Sequence, residues 1–388
     1  FVALFFYARG KEKGIKARYL FSKKEMGSSS RVAMYLSLIV FLGLGTYIFY
    51  NTNILNPYIS SKDQVKSMVD YEKLYGKYTN TLQPRIIESN VNVDIFPDKG
   101  SLYVKGYYWL KNKHSQAVDT VFINFFDNKS DFHYKTLSLA SATKELINDP
   151  KNGVKIVLLQ TALQPGDSIK FNFEFDYTPK GFSDGGLSTM VVKNGTFFNN
   201  SIMPAIGYNT NAELGSNAER KKHGLPYKSR MHSIDDTAAY ANTYISNDAD
   251  WIRFETVVST QKGQTAIAPG YLIKNWQENG RNYFHYKMDN PILNFYAFQS
   301  ANYKIKREQY KGINLELYYD KAHEFNVDDM MLSMKRSLDY YGTNFSPYQF
   351  RQLRIIEFPA FASFAQSFAN TIPFSENVGF TNKVDTAD

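Results

Sequence analysis

The chain has 388 residues, 43% of them hydrophobic and 16% aromatic, which is material enough for two or three cored domains and favours pleated surfaces, where flat, stiff rings pack well. It has no cysteine, so disulfides, thiolate metal sites and a cysteine nucleophile are excluded. The net charge of +8 invites a nucleic-acid reading, but six of those charges fall within residues 1–31 (Arg9, Lys11, Lys13, Lys16, Arg18, Lys23, Lys24 and Arg31 against Glu12 and Glu25), so the basicity is one local cluster and nucleic acid is not an expected partner.

Residues 1–7 (FVALFFY) are apolar and read either as the end of a preceding transmembrane helix or as an apolar terminus. Residues 1–31 as a whole read as a cytoplasmic basic loop. Residues 32–50 (VAMYLSLIVFLGLGTYIFY) carry no charge and are long enough to cross the hydrocarbon core as a helix, with Tyr47 and Tyr50 at its far end. The basic cluster just before this span puts that side in the cytoplasm and everything after Tyr50 outside. The lipid bilayer is therefore an expected partner. A cleaved signal peptide is disfavoured by the polar stretch that precedes the span. Residues 51–84 read as a linker with a short helix over 61–77, where Val65, Met68, Val69 and Leu74 recur at helical spacing.

From Ile86 the period becomes two. Val91, Val93 and Ile95 alternate with polar residues, as do Leu102, Val104, Gly106, Tyr108 and Leu110; Ile169, Phe171, Phe173, Phe175 and Tyr177 form the clearest run. Later runs lie at 251–258, 283–287 and 313–318. Many short strands separated by Gly, Asn and Asp turns predict an antiparallel all-β saddle or sandwich domain over 85–305. Residues 178–250, rich in Asn, Gly, Ser and Asp, read as long loops with a charged patch at Glu219-Arg-Lys-Lys222. Within 306–388 a helix carrying Val327, Met330, Met331, Met334, Leu338 and Tyr341 and a strand at 353–358 predict the opening of an α/β domain, with the methionines as core.

Six histidines offer little metal chemistry. A His-Glu-x-x-His helix would place two imidazoles on one face beside a general base. His323-Glu324 begins that pattern, but Val327 stands where the second His belongs, so the pair reads as a surface feature and no metal site is expected. No Gly-rich phosphate loop and no Gly-x-Ser-x-Gly elbow is present.

The informative stretch is 353–380, LRIIEFPAFASFAQSFANTIPFSENVGF. Its end, Pro373-Phe374-Ser375-Glu376-Asn377-Val378-Gly379, resembles the Gly-x-Met-Glu-Asn-Trp-Gly segment of the aminopeptidase N family of zinc metallopeptidases (gluzincins). Glu376, Asn377 and Gly379 match; Pro373 and Ser375 replace the family's Gly and Met. Met203-Pro-Ala-Ile-Gly-Tyr-Asn209, Glu219 to Pro226 with Ser233-Ile-Asp-Asp236, and Pro84 to Lys113 resemble further stretches of a bacterial branch of that family. Many relatives carry an acidic or Gln residue just upstream of the Phe-Pro that helps bind the amine; the corresponding region here is Asn194-Gly-Thr-Phe-Phe-Asn-Asn200.

The resemblance implies a β-saddle domain followed by the start of an α/β thermolysin-like catalytic domain. It implies a zinc metalloaminopeptidase acting on peptides outside the cytoplasm, with Pro373, Phe374, Ser375, Glu376 and Asn377 at the substrate. Glu376 would hold the free α-ammonium by a charge-assisted hydrogen bond, while open edge-strand backbone docks the peptide. Zinc is implied for the parent polypeptide, whose His-Glu-x-x-His, third Glu ligand and catalytic Tyr follow this segment in the family. The chain as given ends before them, so it is expected to lack both zinc ligands and activity. The bacterial branch often joins this region to permease-like segments of the ABC-transporter type, which implies an inner-membrane location, a periplasmic or extracellular main domain and transporter subunits as partners. The alternative is a non-catalytic extracytoplasmic peptide-binding or structural domain of such a permease.

Overall fold

The computed structural model describes residues 14–25, 27–126, 131–229, 233–241 and 250–383. The apolar stretch 1–7 lies outside them. The chain forms two compact units, one made by residues up to Ser60 with Lys180–Leu187, the other by Ser61–Pro179 with Ser188 onward.

The first unit holds α1 (Ile15–Glu25) and α2 (Ser28–Phe49), and α2 runs on into a π-helical turn at Tyr50–Leu55. The helix is thus longer than the apolar run 32–50. In that turn Asn51 and Thr52 donate their side chains to the carbonyls of Tyr47 and Ile48, at 2.9 Å each. No residue of α2 is buried. It is the one helix, among the described residues, long and apolar enough to cross a membrane by length and composition. Lys180–Leu187 is tied to its end: Asn56 Nδ2 donates to Lys180 O at 2.6 Å, and Tyr47 packs on Phe182. Gly181 (φ +57°) is required there, since a Cβ would lie 2.0 Å from Asn51 Oδ1.

The second unit opens with α3 (Ser61–Tyr75). Its buried face is not the expected aliphatic stripe: Met68 and Leu74 are exposed, while Val69, Tyr71 and Tyr75 are buried. The tyrosines join Phe122 and Tyr208 in an aromatic cluster, with ring centroids 5.2 Å apart for Tyr71–Tyr75 and 5.4 Å for Tyr71–Tyr208. Large aromatic rings carry much apolar surface, so this cluster gives α3 its buried face.

The alternating runs become β1 (Arg85–Phe96), β2 (Ser101–Lys111), β3 (Val118–Asn124), β4 (Phe132–Leu139), β5 (Ala142–Asp149), β6 (Val154–Leu163) and β7 (Ser168–Tyr177). The region read as loops contains β8 (Thr196–Asn199), β9 (Ala205–Ile206) and the short helix α4 (Asn217–Lys222). Arg220, read as part of a charged surface patch, is buried instead; Nη1 and Nη2 hold the two Glu72 oxygens of α3 at 2.8 and 2.5 Å. β10 (Trp251–Gln261), β11 (Thr265–Ile267), β12 (Tyr271–Glu278), β13 (Arg281–Lys287), β14 (Ile292–Leu293) and β15 (Ala297–Ala301) complete the β part.

These strands build an eight-stranded sheet in the order β12-β13-β10-β1-β2-β7-β4 with β14 beside β10, a four-stranded sheet β5-β6-β3-β9, and a three-stranded sheet β11-β15-β8. Val91, Val93, Val104, Phe171, Phe173 and Phe175 meet Val121, Ile123, Val157 and Phe298 in one core, so alternation and burial agree. One pairing departs from the antiparallel expectation: β1 and β10, far apart in sequence, run parallel. The architecture is thus mostly β-sheet, sandwich-like, as the sequence implied.

The α/β part comprises β16 (Lys304–Tyr310), β17 (Ile313–Tyr319), α5 (Val327–Asn344), β18 (Gln352–Phe358), β19 (Thr371–Ser375) and the single turn α6 (Glu376–Gly379). Its sheet runs β16-β17-β18-β19, with β17, β18 and β19 parallel. A parallel pair needs a crossover, and α5 supplies it between β17 and β18. Met331 and Met334 of α5 pack on Leu315, Leu317, Leu353 and Phe380, the core role expected of the methionines.

Candidate functional site at the carboxyl ends of the parallel strands

In open parallel sheets, ligands bind in the crevice beyond the carboxyl ends of the strands, where backbone groups and loop side chains converge. Here the chain leaving β17 reaches Asp320 and His323, β18 ends at Glu357 and Phe358, and β19 delivers Glu376. Together with Asn194, Gly195, Asn302, Tyr303 and Pro359 these residues line a cleft of about 200 Å³.

Glu357 is 4% exposed near the end of β18, a strand that also buries Arg354. Burying a carboxylate is costly unless its oxygens are engaged. Oε2 accepts the Asp320 backbone N–H at 2.6 Å, and Oε1 is hydrogen-bonded to His323 Nδ1. The Tyr303 hydroxyl donates to the Glu357 carbonyl at 3.2 Å. Burial pushes the Glu357 carboxyl above its ordinary range, partly offset by the Asp320 N–H and His323. Burial would lower the His323 imidazole, but the hydrogen bond and charge of Glu357, with the charges of Glu376 and Asp320, push it up. Glu376 is half-buried, and its Oε1 accepts the Ala360 N–H at 2.8 Å. Asp320 is fixed by Asn194 Nδ2 at 3.3 Å and Ala322 N–H at 2.9 Å, and Asn194 Oδ1 accepts the Asn302 N–H at 2.8 Å.

Gly195 makes the close wall of the cleft. Its φ is +98°, and a Cβ there would lie 2.3 Å from the Pro359 ring. Backbone can approach Pro359 only through a glycine.

Of the residues expected at a substrate, only Glu376 lines the cleft. Pro373 and Ser375 are buried, Phe374 packs into the α5 core, and Asn377 is exposed. Ser375 is structural: its hydroxyl donates to Ala362 O at 2.6 Å. The expectation of open edge-strand backbone on β19 is corrected. β19 is last in its sheet, yet Ser375 N–H donates to Phe364 O at 3.0 Å and Gln366 N–H to Pro373 O at 3.1 Å. Residues 364–368 thus cover the edge that was to dock a peptide.

Sequence reasoning missed His323 and Glu357. Glu324 is exposed and ion-paired with Lys304, as a surface feature should be, but His323 turns into the cleft. The available signal was an ionisable pair, Arg354 and Glu357, within the largely apolar run LRIIEF, where burial demands partners. Asn194, at the start of the stretch 194–200, lines the cleft as well.

His323, Glu357 and Glu376 offer ligand atoms within 4.8 Å of one another. As arranged they do not fit zinc. His323 Nδ1 and Glu357 Oε1 point at each other across a hydrogen bond, which needs a proton where a metal needs a free lone pair. The other Glu357 oxygen accepts the Asp320 N–H.

A β-sandwich joined to a parallel α/β layer, with an acidic cleft at the strand ends, is the class of protein that the fold and site define. No protein-family model matches the sequence, and no curated protein does. Among solved structures the chain is similar to M1 zinc metallopeptidases. One is a two-domain M1 zinc metallopeptidase variant bound to L-tryptophan (11% identity, 75% of this chain and 60% of that one, TM-score 0.50). A second is an M1 zinc metallopeptidase variant from Deinococcus radiodurans (10% identity, 76% and 61%, TM-score 0.50). A third is a two-domain variant bound to L-arginine (10% identity, 76% and 61%, TM-score 0.50). The likeness is one of fold, and the chain spans less than two thirds of the length of these neighbours.

Proposed function

We propose that this chain is the amine-recognising part of a membrane-anchored, zinc-aminopeptidase-like hydrolase that removes N-terminal residues from peptides outside the cytoplasm. The observation that carries the reading is Glu376. The one residue of the Glu-Asn motif that lines the cleft is the carboxylate that the aminopeptidase N resemblance assigns to the substrate's α-ammonium. A carboxylate at the mouth of a small acidic cleft suits a primary ammonium, because charge-assisted hydrogen bonds are about twice as strong as neutral ones. Two of the neighbours are described with a free amino acid bound, a ligand carrying that same group.

Zinc, which the reaction class requires, is assigned to none of this chain's residues. Residues 364–368 cover the β19 edge, so on this reading the peptide's amino end enters the cleft without adding a strand to that sheet. Membrane anchoring is supported by α2, and the periplasmic or extracellular side by the basic cluster before it. Peptides and the bilayer are the partners this reading implies; transporter subunits follow only from the permease-like analogy.

The test is direct binding. The purified 388-residue chain in detergent should bind L-leucinamide and not N-acetyl-L-leucinamide by isothermal titration calorimetry. Glu376→Gln should weaken that binding by about ten-fold or more. Equal binding of the two ligands, or no effect of the substitution, would remove the reading.

A further inference from the structure

We propose that Glu357 is a second carboxylate of the ammonium clamp, within reach of the same cation as Glu376, and that His323 is the positioning residue that holds it there. The inference rests on the amine-binding reading above and goes beyond the Glu-Asn motif, which contains neither residue.

The first argument is geometric. A primary ammonium has three donors, and each N–H···O bond spans about 2.9 Å, so two acceptors on one tetrahedral nitrogen sit about 4.7 Å apart. His323, Glu357 and Glu376 place ligand atoms within 4.8 Å of one another, which lets one nitrogen reach both carboxylates. A metal held by the same three groups through His323 Nδ1 would have to break the His323–Glu357 hydrogen bond.

The second argument is the setting of Glu357. The two carboxylates belong to neighbouring strand ends, β18 and β19, and both line the same cleft. Glu357 is buried, and the protein engages each of its oxygens once, with the Asp320 N–H and with His323 Nδ1. A carboxylate has about four lone-pair sites, so capacity remains for a ligand. Removing a charge from water and fixing it by two rigid partners is the cost of preorganising an acceptor for a cation.

The third argument is charge. Asp320, Glu357 and Glu376 all line the cleft, and among its lining residues only His323 can offset them with positive charge. The imbalance favours a cation entering beside Glu376.

The experiment uses the 388-residue chain in detergent, with L-leucinamide as probe and N-acetyl-L-leucinamide as control. Glu357→Gln keeps the shape and removes the charge; it should weaken leucinamide binding about ten- to a hundred-fold. His323→Ala should weaken it as well, by freeing the Glu357 side chain. His323→Asn, whose amide can stand in for the Nδ1–H, should recover most of the affinity, a rescue that a general loss of folding would not give. If Glu376→Gln abolishes binding while Glu357→Gln and His323→Ala leave it unchanged, the second carboxylate is wrong and the amine-binding reading stands. If the wild-type chain binds neither amide, both fail. Stoichiometric binding of Zn²⁺ alone, lost in His323→Ala and in Glu357→Gln, would overturn the clamp and make the cluster a metal site.

Discussion

Glu357 and His323 are 34 residues apart in sequence and meet through a hydrogen bond at the carboxyl end of a parallel sheet. Neither lies in a motif. They meet because α5 carries the chain from β17 across to β18, so that the loop leaving one strand faces the end of the next. The pair links fold to chemistry, since the crossover that buries Met331 and Met334 also fixes where an imidazole and a carboxylate converge.

The pair should leave a pH signature on stability. His323 is raised above its ordinary value by Glu357, with Glu376 and Asp320 adding to it, against the opposing effect of burial; Glu357 is itself raised by burial. A group whose folded pKa lies above its unfolded one stabilises fully below the unfolded value and loses that contribution as pH rises through the folded one. For His323 the loss begins above about pH 6.5, its unfolded value. The wild-type chain should therefore lose more of its urea-unfolding midpoint between about pH 6 and pH 9 than His323→Asn does. Parallel midpoint curves for the two would rule the coupling out.

Gly195→Ala tests the wall of the cleft. The substitution meets a positive φ and a Cβ position 2.3 Å from Pro359. It should destabilise the chain by about 1–3 kcal/mol and weaken leucinamide binding. Adding Pro359→Ala removes the ring but not the backbone strain, so it should restore part of the loss and not all. Full recovery in the double variant, measured by denaturant unfolding, would show that the backbone carries no strain there.

Much of this was legible in the sequence where one periodicity ruled. The runs at Val91–Ile95 and Ile169–Tyr177 became β1 and β7 with the expected faces inward, and the methionine stripe at 330–334 became core. The covered edge of β19 was not legible, because it depends on where 364–368 folds back, and no local pattern encodes that return. Arg220 was misread because a charged run usually marks a solvated face; its burial follows from Glu72, 148 residues away. The same limit hid His323: a residue beside an exposed Glu324 gives no sign in one dimension that its ring turns inward.

The apolar helix makes a separate prediction. A charge near the centre of α2, as in Val40→Asp, costs about 2.5–3.5 kcal/mol if that segment sits in hydrocarbon, and almost nothing if it lies in water. The wild-type chain should stay with membranes through alkaline carbonate extraction, and the variant should be found largely in the supernatant. A wild-type chain that washes off completely would take α2 out of the bilayer.

Arg220 and Glu72 make the sharpest energetic test, because both geometry and burial are known. Arg220 is held by two hydrogen bonds to Glu72 and by the carbonyls of Leu214 and Pro226, at 2.9 and 2.7 Å. Removing one partner leaves the other charged, nearly dehydrated and without its counter-ion. Glu72→Ala or Arg220→Ala should each cost about 3–5 kcal/mol. Removing both with apolar residues of similar volume, Glu72→Leu with Arg220→Met, deletes the stranded charge as well, so the double variant should be more stable than either single one. The residual cost would reflect the Leu214 and Pro226 carbonyls that lose their donor. If the single losses simply add in the double variant, the two side chains do not interact in solution, and α3 is held instead by contacts such as the Tyr71–Tyr208 ring pair and the Asn209 N–H donated to the Tyr71 hydroxyl.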